Sequence, residues 1–83
     1  MTEVLLSERA QDRLSDLETE ISNRIKGALR EINPDRDLSR LSGEDIFKLR
    51  VGDYRVIVDW DRSEGTVYVL TLGHRRNIYD HSW

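Results

Sequence analysis

The 83-residue sequence has no cysteine, one proline, one methionine, one phenylalanine and no long hydrophobic run. Without cysteine there is no disulfide framework, no thiolate metal ligand and no cysteine nucleophile, which fits a reducing cytoplasm. The longest nearly apolar stretch, 67–72, is too short to cross a bilayer, and Met1-Thr2-Glu3 opens no basic signal peptide. A cytoplasmic protein with no membrane contact is expected. Glycine-rich phosphate loops, a Ser/His/Asp set and a coupled carboxylate pair for glycoside chemistry are all missing. The two histidines, His74 and His81, lack partners at ligand spacing, so neither a metal nor a cofactor is expected.

What is present suffices for one folded domain spanning 1–83. Hydrophobic residues make up 37% and charged residues 35%, too apolar for a disordered chain and too short for two cores. Ala10, Leu14, Leu17, Ile21, Ile25, Ala28, Leu29 and Ile32 recur in steps of three and four, placing them on one helical face. Ser7 serves as an N-cap, and Asn33-Pro34 as a stop. Ser15-Asp16-Leu17-Glu18 spells a capping box, so this span reads either as one bent helix or as a helical hairpin. Gly27 inside it suggests a close helix contact.

Beyond 33–45, which reads as a surface loop held down by Leu38 and Leu41, the period changes to two. Phe47, Leu49 and Val51 alternate with Lys48 and Arg50. Turns near Gly52 and Gly65 then separate two further strands, 54–60 and 67–72. With 4–6 as another strand, the expected fold is α+β, β-α-α-β-β-β, with a small antiparallel sheet and a helical hairpin on one face. Tyr54 and Tyr68 are expected to pack on the sheet, and Trp60 to be half-buried at a strand end.

The formal net charge of −3 conceals an asymmetry. Residues 1–45 carry seven Lys/Arg against eleven Asp/Glu, whereas 46–83 carry six against five. The basic groups of the second half cluster as Lys48, Arg50 and Arg55, then His74, Arg75 and Arg76. Lys48 and Arg50, two apart on a strand, share a face, and arginine offers a planar fork of donors suited to phosphate. The bland reading of Arg55 is a rim arginine paired with Asp53 or Asp59. That of Tyr79 is an aromatic capping the edge of the core.

The run Leu41-Ser42-Gly43, then Phe47-Lys48-Leu49-Arg50-Val51-Gly52-Asp53-Tyr54-Arg55-Val56-Ile57, then Gly73-His74-Arg75-Arg76-Asn77-Ile78-Tyr79, resembles the RelE/ParE superfamily of type II toxins over nearly the whole chain. The Gly-His-Arg-Arg-Asn-Ile-Tyr ending is similar to the RelE branch, whose members cut messenger RNA on the ribosome. The resemblance implies metal-free attack of a ribose 2′-hydroxyl on the adjacent phosphate. It places Arg55 at the phosphate-stabilising position, Arg75 at the leaving group, Tyr79 as the base, and Lys48 beside them. Arg50, His74 and Arg76 become RNA contacts. A RelB-like antitoxin, the ribosome and mRNA are the implied partners, with DNA reached only through the antitoxin. Two departures stand out: Ile46 replaces a lysine of the family pattern, and no helix or basic tail follows Tyr79. The resemblance also admits a ParE-like inhibitor of DNA gyrase, or an inactive antitoxin-binding module.

Overall fold

The structure, a computed structural model, describes residues 2–41 and 46–78. The chain runs β1 (Glu3–Leu6), α1 (Glu8–Asp16), α2 (Thr19–Arg30), α3 (Pro34–Asp37), β2 (Leu38–Arg40), β3 (Ile46–Val51), β4 (Tyr54–Asp61) and β5 (Thr66–His74). The strands form one sheet in the order β1-β5-β4-β3-β2. This is the α+β layer expected, with two differences. First, β1 pairs with β5 in parallel, so the sheet is mixed and not antiparallel. The N-terminal strand joins β5 through the whole intervening chain, so no hairpin imposes an antiparallel direction on it. Second, 33–45 is not all loop: Pro34–Asp37 forms α3, Leu38, Ser39 and Arg40 pair with Leu49, Lys48 and Phe47, and 42–45 lie outside the described residues. Three residues without a β-branched side chain are too few to display a period of two.

The apolar stripe is broken into two helices. Ser7 caps α1, its Oγ accepting from the Ala10 N–H at 3.0 Å. The capping box does not form, because Ser15 Oγ donates back to the Asp12 carbonyl at 2.8 Å and Glu18 caps α2 without a side-chain bond. Extended backbone at Leu17 makes the break (φ −82°, ψ 157°). Ala10, Leu14, Ile25 and Leu29 then bury against Phe47, Leu49, Val56, Val58, Val67, Val69 and Leu72, each fully buried Val or Leu contributing about 1.5–3 kcal/mol.

β5 contains one extra residue. Val58 pairs with Val69, but Ile57 pairs with Thr71, leaving Leu70 as a bulge. The bulge changes the parity of β5: Val67 and Val69 face the helices before it, Leu72 after it, and Thr71 and Gly73 turn to the opposite face. Ser7 holds this irregularity in place, its Oγ donating to the Leu70 carbonyl at 2.7 Å while its N–H donates to Val69. Tyr54 packs against the core as expected, whereas Tyr68 is exposed beside Leu5.

At the β4–β5 turn, Asp61 Oδ1 accepts from Ser63 Oγ at 2.7 Å and from the N–H groups of Ser63 and Glu64. These bonds, the Ser63 hydroxyl foremost, hold the carboxyl below its ordinary value. A depressed carboxyl contributes stability above its unfolded pKa and loses it as pH falls through the folded one. The melting-temperature gap between wild type and Asp61→Ala is therefore expected to be widest at neutral pH and to narrow below about pH 4.

Gly27 makes no close contact, contrary to expectation: a Cβ built there meets nothing within 4 Å. It is an unfavourable helix residue with open space around it. Gly27→Ala is expected to stabilise the fold by about 0.5–1 kcal/mol, read as a rise in the thermal melting midpoint.

Candidate functional site: arginines around the β3–β4 turn

β3 and β4 are joined by a two-residue loop, Gly52-Asp53, beyond the last pair Val51↔Tyr54. Gly52 has φ +57°, the left-handed conformation that tight hairpins require and that glycine adopts without strain. The register that follows sets Arg50 directly opposite Arg55, and Lys48 opposite Ile57. Across the next ladder Arg55 faces Gly73 and Ile57 faces Thr71. Lys48, Arg50 and Arg55 thus share the face turned away from the helices, which the strand pattern predicts for Lys48 and Arg50 and the hairpin register extends to Arg55.

Arg55 is not at the rim. It is 9% exposed, and its Nη1 donates to the carbonyls of Gly52 (2.9 Å) and Tyr54 (2.8 Å). Neither Asp53 nor Asp59 pairs with it; the guanidinium braces its own turn instead. Among the described residues its Nε and Nη2 have no protein partner. These atoms form the side-on fork that receives a phosphate or carboxylate in two parallel bonds. Arg50 stands across the ladder, exposed and likewise without a carboxylate among the described residues.

Arg75 reaches the turn from the end of β5. Its N–H donates to the Asp53 carbonyl at 2.8 Å, and its half-exposed Nε lies 3.8 Å from Asp53 Oδ1. Ile78 is 1% exposed and its Cδ1 lies 3.4 Å from where a Gly73 side chain would begin, so the segment after β5 packs back beside Arg55. Lys48 is half-buried on the same face.

Two of the sequence-selected residues lie elsewhere. His74 pairs with Tyr54 and meets its ring edge-on at 5.5 Å, on the helix-facing side, while its Nδ1 accepts from the Arg76 N–H at 3.2 Å. Arg76 is exposed in the turn that follows. Tyr79, the residue assigned as base, lies outside the described residues. Two helix arginines converge here unannounced: Arg24 from α2, whose Nη2 comes within 3.4 Å of a Cβ built on Gly52, and Arg13 from α1, whose Nη1 donates to the Leu72 carbonyl at 3.4 Å. The one available signal was that each immediately precedes a core residue, Leu14 or Ile25.

The larger surface hollows, of about 530 and 440 Å³, lie instead at the opposite end, around Trp60 and Arg62. They hold no convergence of cations comparable with that at the turn. Among the described residues no three His, Cys, Asp or Glu side chains group to hold a metal, and no helix is long and apolar enough to cross a membrane.

This architecture is that of small bacterial and archaeal toxins. Similar solved structures include the toxin–antitoxin complex RelBE2 from Mycobacterium tuberculosis (27% identity, 89% of this chain and 98% of that one, TM-score 0.75). The RelB–RelE complex from Methanococcus jannaschii is similar too (24%, 92% and 95%, TM-score 0.73), as is the isolated E. coli RelE toxin (21%, 96% and 93%, TM-score 0.74). The family model for the ParE toxin of type II toxin-antitoxin system, parDE, matches residues 4–79. The chain therefore belongs to the ParE toxin family, within the RelE/ParE superfamily of type II toxins. No curated protein matches it significantly in sequence.

Like charges directly opposite in an antiparallel pair are destabilising. Arg50→Gln is accordingly expected to raise stability by about 0.2–1 kcal/mol. Arg55→Ala, which removes two charge-assisted bonds from the turn, is expected to lower it by about 1–3 kcal/mol. Chemical denaturation of the two variants against wild type reads both signs.

Proposed function

We propose that this toxin is an endoribonuclease that cuts messenger RNA on the ribosome, in the cytoplasm, and is neutralised by a RelB-like antitoxin. One observation carries this reading: a buried arginine, braced by its own turn, stands beside a second arginine, and among the described residues its Nε/Nη2 fork has no partner and neither guanidinium has a carboxylate to neutralise it. Such a pair costs stability and suits a phosphate whose charge increases during reaction.

In the proposed reaction the ribose 2′-oxygen bonds to phosphorus as the bond from phosphorus to the 5′-oxygen breaks. The products are a 2′,3′-cyclic phosphate and a 5′-hydroxyl. Tyr79 takes the 2′-proton, and Arg55 balances the equatorial phosphorane oxygens. Arg75, held over the turn through Asp53, faces the departing 5′-oxygen. Lys48 and Arg75 supply the positive field that favours the Tyr79 phenolate. Arg50 and Arg76 contact flanking phosphates; His74, on the other side of β5, is the weakest of the RNA contacts assigned from sequence. DNA would be met only through the antitoxin.

A second reading is favoured by the ParE family match over residues 4–79: the same basic face would bind and poison DNA gyrase without cutting RNA. Brief expression without antitoxin, followed by mapping of 5′ ends on translated messages, separates the two. Cuts within codons support the ribonuclease, whereas a DNA-damage response on intact messages supports the gyrase reading. Tyr79→Phe and Arg75→Ala are each expected to slow cleavage in message-programmed ribosomes by about 10²–10³-fold. Full activity in both would remove the catalytic assignment.

A further inference from the structure

Four arginines surround the Gly52-Asp53 tip: Arg50 and Arg55, paired across β3 and β4, Arg75 just past the end of β5, and Arg24 from α2. Arg24 is the unexplained member. It is exposed, makes no ion pair among the described residues, and sits on the opposite side of the turn from Arg55. Both guanidiniums reach the same residue. Arg55 Nη1 bonds the Gly52 carbonyl at 2.9 Å, and Arg24 Nη2 lies 3.4 Å from where a Gly52 side chain would begin. With glycine at the tip, no side chain stands between them. On the helix side a small hollow of about 130 Å³, lined by Ile21, Arg24, Val51, Asp53 and Tyr54, opens beside the same tip.

Helix packing accounts for the placement. Ile25 is completely buried and Ile21 packs against the core, so Arg24 leaves the helix at the edge of the apolar stripe and extends over the turn. Asp53 is the one carboxylate within ion-pair distance of any of the four among the described residues, and its 3.8 Å approach to Arg75 is long. The tip therefore holds an excess of positive charge on both sides of one glycine.

We propose that Arg24 is a substrate-binding residue of this site, holding a phosphate of the single-stranded RNA where the strand crosses the β3–β4 turn next to the phosphate at Arg55. The assignment rests on the ribonuclease reading above. It gives the RNA a path: past Arg50 and Arg55, across Gly52, and onto the edge of α2. Arg24 acts by binding, at a distance from the reacting atoms.

The test uses the full chain and an RNA oligonucleotide 2′-O-methylated throughout, which presents the phosphates but has no free 2′-hydroxyl to attack. Arg24→Gln is expected to weaken binding roughly tenfold at low salt, the worth of one charge-assisted bond. The plot of log Kobs against log[salt] should become shallower by about 0.7, one phosphate contact on a single strand. Arg24→Lys should restore most of the slope, and Arg62→Gln, at the far end of the sheet, should leave it unchanged. On message-programmed ribosomes Arg24→Gln should raise KM with kcat nearly intact. A slope unaffected by Arg24→Gln, or reduced equally by Arg62→Gln, while wild type still cuts message, overturns this inference alone. A wild type that neither binds the oligonucleotide nor cuts message overturns the ribonuclease reading and the inference with it.

Discussion

The register of the β3–β4 hairpin is the constraint on which both the core and the site depend. Side chains alternate with a period of two, so a slip of one residue would turn Val56 and Val58 outward and press Arg55 into the helices. The two-residue loop prevents the slip. Gly52, at φ +57°, allows Val51 and Tyr54 to form the last pair, and from that pair every other partner on the two strands follows. Arg55 reinforces the loop by binding the carbonyls of Gly52 and Tyr54, on either side of Asp53. The same interaction closes the turn and uses only Nη1, leaving Nε and Nη2 without a partner among the described residues.

A second device aligns the third strand. Without the Leu70 bulge, β5 would continue the parity of Val67 and Val69, and Gly73 would face the helices. With it, Gly73 lies opposite Arg55, and the chain leaves β5 in the direction that brings Arg75 to Asp53. Ser7 couples the bulge to the start of α1: one hydroxyl accepts from the Ala10 N–H and donates to the Leu70 carbonyl. The parallel strand β1 ends next to this residue, so the N-terminal edge of the sheet supports the geometry at its basic end.

An acidic chain with a basic tip separates two demands. Overall negative charge makes copies of the domain repel one another, whereas local positive charge provides a place for an anion. Arg55 braces its turn, but an arginine at position 50 opposite it is not explained by stability, since like charges across a ladder repel. A fold that keeps such a pair holds local electrostatic tension that an arriving phosphate would relieve. This is the physical basis for reading the turn, and not the larger hollows around Trp60, as the functional end of the molecule.

Local pattern alone determined much of this protein. The three-and-four stripe from Ala10 to Ile32, the alternation of Phe47, Leu49 and Val51, and the glycines at 52 and 65 are short-range signals. They yield two layers, a three-strand meander and a shared face for Lys48, Arg50 and Arg55, because side-chain direction repeats with the backbone. The break near Leu17 was legible as one of two readings of the stripe, whereas the three-residue strand β2 and the parallel direction of β1 were not, since each depends on partners distant in the chain. The same holds for burial of Arg55, the placement of His74 on the helix side and the arrival of Arg24 at Gly52. A sequence records which residues are basic and which share a strand face. Only packing of helix on sheet, and one extra residue in β5, decides which of those charges meet.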